Sequence, residues 1–270
     1  MSSRSPVRAG KKRVLVPKVR LFIDEELASN REIRLSTKQA HYLTHVMRLD
    51  VGDALRAFNG RDGEWLVCLA VAGRDDGRVL VQSRLRIQPR EAGPWLAFAP
   101  VKKDAQDALV SQATELGVER FLPVITCFTS VDRINRDRLR AQVVEAAEQC
   151  GRLTLPVITE PWSLIDLLTA WPEDRTLLFA NERAAGQPIA EAVRHVSLPG
   201  IGVLVGPEGG FSDAERGAIL SHRAAVDVAL GPRLLRSGTA AVAALACWQA
   251  LCGDWRPQKQ PEGLHVRPEH

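Results

Sequence analysis

No apolar run in this chain approaches the roughly 18 residues that a membrane-spanning helix requires. The longest, Ala240 to Cys252, has the length of a buried helix. Cysteine is sparse: Cys68, Cys127, Cys150, Cys247 and Cys252 form no CxxC pair. An odd count without that spacing argues against a disulfide framework and against a zinc site, and free thiols fit a reducing cytoplasm. His41 and His45 stand four apart, as metal ligands can, but no third ligand lies nearby in the sequence, so no metal is expected. The chain lacks the GxxxxGK[ST] and GxGxxG patterns, which disfavours nucleoside triphosphates and dinucleotides. It also lacks GxSxG and so shows no nucleophile elbow. Charge of one sign is not in excess: the formal net charge is +4 over 270 residues. Residues 1–20 hold seven basic side chains and no acid, which leaves −3 for the rest. Any nucleic-acid surface must therefore be local.

Composition is otherwise that of a water-soluble globular chain, 45% hydrophobic and 25% charged. Residues 1–19 read as a basic, disordered arm, with a transit-like peptide or an RNA-touching tail as the alternatives. The arm lacks the apolar stretch of a secretory signal. Residues 20–88 read as a small β-rich domain. Arg20–Ile23 is a strand, and Ser36–Gln39 starts a short helix. Ala54–Phe58 and Glu64–Cys68 flank the turn Asn59-Gly60-Arg61-Asp62-Gly63, a hairpin signal. Val79–Ile87 alternates as a half-exposed strand does. Pro89–Pro94 has the composition of a linker.

From residue 95 to 252 strands and helices alternate, which argues a mainly parallel sheet covered on both faces. Strands are expected at 96–99, 120–125, 155–158, 176–180, 203–205 and 226–230. Helices are expected at 104–116, stopped by Gly117, and at 135–150, with Leu139, Val143, Ala146 and Cys150 on one face. Residues 253–270 form a tail.

Two strand–loop–helix units near the C-terminus organise the chemistry. Val203–Val205 runs into Gly206-Pro207-Glu208-Gly209-Gly210, and Ser212-Asp213-Ala214-Glu215 is a capping box that opens the next helix. Glycines let backbone approach a ligand, and the exposed N–H groups at a helix start favour an anionic or strongly accepting group. Glu208 argues against a polyphosphate there. Val226–Leu230 runs into Gly231-Pro232-Arg233, and Arg233 with Arg236 suits phosphate or base contacts. Ligands of open α/β sheets sit beyond the carboxyl ends of strands, so the two loops read as one small-molecule site with a basic rim. Glu145, Glu148, Gln149 and Arg152 cluster at the end of one helix, and Lys102, Lys103 and Asp107 near the start of another.

Taken together these blocks resemble the bacterial small-subunit ribosomal RNA uridine-N3 methyltransferase family (RsmE) of the SPOUT methyltransferases. The carrying residues are Glu115-Leu116-Gly117-Val118, Glu148-Gln149-Cys150-Gly151-Arg152, Leu204–Ser212 with Glu215, and Leu230–Arg236 followed by Thr239-Ala240. His41, Val46 to Leu49 and Gly52-Asp53 resemble the family's PUA-like RNA-binding domain. The match spans residues 20–252. It implies a trefoil-knotted, mainly parallel sheet preceded by a PUA-like β barrel. It further implies a homodimer acting on 16S rRNA of the small subunit, with the RNA site shared between subunits.

The resemblance implies S-adenosylmethionine as cofactor, bent against the backbone of Gly206, Gly209, Leu230 and Leu235. Its expected contacts extend to Phe179, Ala180, Leu204, Pro207, Glu208, Gly210, Gly231, Leu234 and Thr239, with Leu204, Leu230, Leu234 and Leu235 around the adenine. Arg236 is the first candidate to stabilise charge on the reacting base and Arg233 the second. Glu208 is a candidate base, water-orienting group or loop brace. Arg48, Arg56, Lys102, Lys103 and Arg152, with Arg84 and Arg86, are the candidate RNA contacts. Two positions depart from the family pattern: Gly238 stands where a glutamate is frequent, and Gln112 where a lysine is common. Two other readings stay open: a different SPOUT reaction such as 2′-O-methylation of tRNA or rRNA, and a non-catalytic RNA-binding assembly factor that keeps the fold.

Overall fold

The computed structural model describes residues 17–130, 134–182, 186–196 and 200–256. The basic arm through residue 16 and the tail from residue 257 lie outside the described residues. The chain divides into two compact units between Gln88 and Pro89.

The first unit holds β1 (Arg20–Phe22), β2 (Glu32–Arg34), α1 (Thr37–His41), β3 (Ala54–Phe58), β4 (Glu64–Val71) and β5 (Arg78–Arg86). They form one five-stranded sheet in the order β1-β3-β4-β5-β2. Only β1–β3 is parallel; the other pairs are antiparallel. Leu55, Ala57, Val67, Leu69, Val79 and Val81 point into its core with Leu43 and Ile23. β5 departs from its expected half-buried alternation. Val79 and Val81 are buried, but every residue from Gln82 to Arg86 is exposed. Register shifts in the β4–β5 pairing at Glu64/Trp65 and Leu66/Val67 carry this half of the strand off the core. α1 starts where expected, with Ser36 capping it through a box with Gln39, and the chain then widens into a π-helical turn over Tyr42–Val46.

The second unit begins with β6 (Trp95–Phe98), α2 (Lys103–Glu115), β7 (Arg120–Ile125), α3 (Arg136–Cys150), β8 (Val157–Ile158), β9 (Trp162–Ser163) and α4 (Leu164–Thr169). It continues with β10 (Arg175–Ala180), β11 (Gln187–Pro188), α5 (Ile189–Arg194), β12 (Gly200–Val205), α6 (Asp213–Leu220), β13 (Ala225–Ala229) and α7 (Ser237–Leu251). The sheet order is β11-β13-β10-β12-β6-β7-β8, with β9 also on β7, and each of these pairings is parallel. β12, at the centre, is buried along its whole length, as a strand covered on both faces must be.

Side chains alternate between two apolar layers. Leu96, Phe98, Ile201, Val203 and Val205 pack with residues of α2, α3, α5 and α7. Ala97, Leu177, Phe179 and Leu204 pack with residues of α4 and α6. α2 ends as expected on Gly117 at φ +81°, and α3 on Gly151 at φ +82°. Cys150 does not join the buried face of α3. It is exposed in the helix's last turn, while Leu139, Val143, Ala146 and Ala147 are buried. β13 stops at Ala229, so Leu230 belongs to the loop that follows.

Candidate active site

β13, β10 and β12 are neighbours, and all run in one direction. The loops that leave their carboxyl ends therefore emerge together. They enclose a cavity of about 430 Å³, within the range of small-molecule sites. Asn181 and Glu182 line it from the end of β10, Gly206–Gly210 from the end of β12, and Leu230, Gly231 and Arg233–Arg236 from the end of β13. Ser237 and Ala240 close it from the first turn of α7. The two glycine loops that the sequence pairs into one site thus meet in space, as the expected knot requires.

The glycine loop is a tight turn: the N–H of Gly210 donates to the Pro207 carbonyl at 2.9 Å, with Gly210 at φ +70°. A Cβ on Gly206 would lie 2.6 Å from the Phe211 ring, and one on Gly209 would lie 2.9 Å from Cβ of Phe128. Bare backbone is what the site presents there. The capping box forms as expected, with the Ser212 N–H donating to Glu215 Oε2 at 2.9 Å and the Glu215 N–H to Ser212 Oγ at 3.3 Å. Glu215 has a second task that no local pattern reveals. Its Oε1 accepts from the Cys127 N–H at 2.7 Å, which ties the loop after β7 to the start of α6.

Of the sequence-derived candidates, Ala180, Gly206, Pro207, Glu208, Gly209, Gly210, Leu230, Gly231, Leu234 and Leu235 line the cavity, together with Arg233 and Arg236. Phe179 and Leu204 do not. They are register partners on adjacent strands and face the opposite layer, each 0% exposed, with Phe179 edge-on to Phe211 at 5.3 Å. Thr239 is exposed on α7 and does not line the cavity. Arg233, Arg236 and Glu208 are exposed. Leu234 is 79% exposed at the mouth, apolar surface that a ligand or second subunit would cover.

The residues fit an adenosyl sulfonium ligand. Leu230, Leu235, Val205 and Ala180 offer an apolar wall, the glycine turn offers backbone groups, and the buried Ser237 Oγ has no hydrogen-bond partner among the described residues. Sequence reasoning missed Asn181, Glu182, Val205, Ser237 and Ala240. The polar pair directly after β10 was the available signal.

The proposed RNA contacts divide. Lys102 and Lys103 are exposed at the start of α2. Near them Asp107 accepts from Arg138 Nε at 3.0 Å, and this bond holds its carboxyl below the usual carboxylate range. Arg48 is exposed at φ +55° after the π-helical turn, and Arg84 is exposed with its guanidinium 5.9 Å from the Trp65 ring centroid. Arg56 is committed elsewhere. Its guanidinium lies 3.6 Å from the buried Glu64 carboxylate, which Arg20 also holds at 2.7 Å and Arg86 approaches at 3.6 Å.

Arg152 is likewise structural. Its side chain is 8% exposed, and it donates to the carbonyls of Thr114 and Val118 at 3.0 and 2.8 Å and to Glu91 at 3.0 Å. It ties the end of α3 to the end of α2. Arg152→Ala removes these bonds and strands buried acceptors, so it lowers unfolding free energy by about 2–3 kcal/mol, measured by denaturant titration without RNA present.

The Gly238 departure is sterically free. A Cβ built there meets nothing within 4 Å, in the first turn of α7 at ordinary helical φ. Gly238→Ala therefore stabilises the fold by about 0.5–1 kcal/mol, read as a raised denaturant midpoint at unchanged slope. Gln112 is exposed on α2. Among the described residues no group of three His, Cys, Asp or Glu side chains gathers as a metal site. The rings of His41 and His45 stack, centroids 4.4 Å apart.

Comparison with known proteins bears on the whole chain. Residues 91–249 match the RNA methyltransferase domain family, and residues 35–82 match the RNA methyltransferase PUA domain family. A ribosomal RNA small subunit methyltransferase E from Rickettsia conorii is 34% identical over 229 residues, covering 84% of this chain and 93% of that protein. A Legionella pneumophila protein solved with the cofactor SAM bound has a TM-score of 0.77 at 27% identity, covering 87% of this chain and 98% of the other. Ribosomal RNA small subunit methyltransferase E from Neisseria gonorrhoeae, solved with S-adenosyl methionine bound, has a TM-score of 0.73 at 25% identity, covering 86% and 97%. By its matched domains, and by a relative of this identity that it spans almost end to end, the chain belongs to the ribosomal RNA small subunit methyltransferase E family of RNA methyltransferases.

Proposed function

We propose that this protein transfers a methyl group from S-adenosylmethionine to N3 of a uridine in 16S rRNA of the small ribosomal subunit, acting as a homodimer in the cytoplasm. The observation that carries this reading is the meeting of the two glycine loops around one cavity with Arg233 and Arg236 at its mouth. The names of the relatives support the small-subunit RNA as substrate and the sulfonium donor as cofactor. The five free thiols support the compartment, and the exposed Leu234 supports a second subunit at the site.

Bound S-adenosylmethionine supplies an electrophilic methyl group. The residues of this chain must do the remainder. The turn Pro207–Gly210, with the apolar side chains of Leu230 and Leu235, holds the donor. Uracil N3 carries a weakly acidic proton between two carbonyls, and losing it spreads negative charge onto O2 and O4. Arg236, with Arg233 as the second candidate, stabilises that charge from the mouth of the cavity. Glu208, exposed at the corner of the glycine turn, is placed to take the proton or to orient a water that takes it. The target base is presented unpaired or flipped, because a paired N3 is inaccessible. The exposed Arg48, Arg84, Lys102 and Lys103 grip the backbone, so binding weakens with salt.

The test is nucleoside mass spectrometry of small subunits from a strain lacking this protein, before and after incubation with purified protein and donor. A gain of 3-methyluridine supports the reading. A gain of a ribose-methylated nucleoside, or none, refutes it.

A further inference from the structure

Two residues of the cavity wall, Asn181 and Glu182 after β10, take no part in the chemistry above. They bond into a network with Arg216 of α6 and Asp227 of β13, which do not line the cavity. Arg216 is 7% exposed. Its Nη2 donates to Glu182 Oε1 at 2.5 Å, and its Nη1 donates to Asn181 Oδ1. Asn181 Nδ2 donates in turn to Asp227 Oδ2 at 3.2 Å. Asp227 Oδ1 is buried without a hydrogen-bond partner among the described residues. Among the described residues one guanidinium therefore serves a chain that ends in two carboxylates, and these four groups together carry one net negative charge.

Glu182 is the part of this network that a ligand meets. It lines the cavity, and its side chain keeps 32% exposure although its partner arginine is buried. It also lies hard against the glycine turn: a Cβ on Gly210 would be 2.6 Å from Glu182 Oε1. Arg233 and Arg236 line the same cavity. The site is thus bipolar, acidic at the β10 end and basic at the β13 end. A carboxylate incompletely compensated in a partly enclosed cavity is best completed by a cation. The basic rim suits the RNA, so the acidic wall is left for the donor, which carries a sulfonium and an α-ammonium.

We propose that Glu182 is the cation acceptor of the methyl-donor site, with Arg216, Asn181 and Asp227 as the scaffold that fixes its carboxylate. This rests on the reading of the cavity as the donor site. Because the charge rather than the shape of Glu182 matters, Glu182→Gln weakens donor binding and Glu182→Asp restores part of it.

Calorimetric titration of the full-length protein tests this with three probes. S-adenosylmethionine has both cations, S-adenosylhomocysteine has only the ammonium, and 5′-methylthioadenosine has neither. Glu182→Gln weakens S-adenosylmethionine about tenfold and leaves 5′-methylthioadenosine unchanged. A smaller loss for S-adenosylhomocysteine than for the donor identifies the sulfonium as the group received; equal losses identify the ammonium. The proposal is overturned if the donor binds Glu182→Gln as well as wild type, or if 5′-methylthioadenosine loses as much as the donor, which marks a collapsed site. Wild-type protein that binds none of the probes instead sinks the donor-site reading on which the proposal stands.

Discussion

Arg236→Ala lowers the rate of methyl transfer to small subunits by about 10²–10³-fold while leaving S-adenosylmethionine affinity unchanged. The magnitude is that of removing one charge-stabilising donor from a preorganised site. The selectivity follows from where Arg236 sits. It lines the mouth of the cavity, exposed, with no partner for its guanidinium among the described residues. It is also the N-cap of α7 at φ −66° and ψ 153°, yet its side chain makes no capping bond. Truncation to alanine therefore removes no cap and leaves no buried partner stranded, and the melting temperature should not move. Single-turnover kinetics with saturating donor separate the two effects. Turnover near wild type would show that Arg236 does not act on the reacting base, and a matching loss of donor affinity would show that it binds cofactor instead.

Gly209→Val should abolish measurable donor binding, a loss of at least about 100-fold by calorimetry. Gly209 is part of the cavity lining, and a Cβ there would stand 2.9 Å from Cβ of Phe128, so the turn that forms the lining must shift. The same contact means that the substitution is not silent for the rest of the protein. The loop at 126–130 must move, although Phe128 is 49% exposed and can yield. Overpacking costs of this type run to about 1–3 kcal/mol, so the fold survives. Gly209→Ala is the milder control and should retain partial binding. Donor affinity unchanged in Gly209→Val would remove the glycine turn from the site.

Much of this site was legible before any coordinates. The capping box Ser212–Glu215 has a fixed spacing and one mechanical meaning, and the pairing of apolar strand, glycine corner and helix marks a ligand loop wherever it occurs in a parallel sheet. Which face a strand residue takes was less accessible. Phe179 and Leu204 lie on strands buried on both sides, where hydrophobicity is continuous and carries no alternation to read. Their pairing in the sheet puts both on one face, and their packing with α4 and α6 shows that this face turns away from the cavity. The strands β9 and β11 have two residues each, too short for a periodic signal, and of the strand expected at 155–158 only Val157–Ile158 pairs.

Charged residues were the hardest to place. In sequence, Arg152 and Arg56 look no different from Arg48 or Lys102, because a basic side chain shows its sign and not its partner. Arg152 finds the carbonyls of Thr114 and Val118, 38 and 34 residues away, and the Glu91 carboxylate, 61 away, while Arg56 faces Glu64 across the β3–β4 pairing. Asn181, Glu182 and Arg216 were missed for the same reason. An Asn-Glu pair after a strand and an arginine inside a helix are ordinary separately, and become a network only when β10 and α6 meet across 34–35 residues. Glu215 shows the same limit in milder form, since its local cap was readable and its bond to Cys127, 88 residues away, was not.

The most direct measurement is a crystal of this protein soaked with S-adenosylmethionine. The account predicts density for the donor between residues 206–210 and 230–236. A clean cavity there, with the donor bound at any other place on the chain, would contradict it.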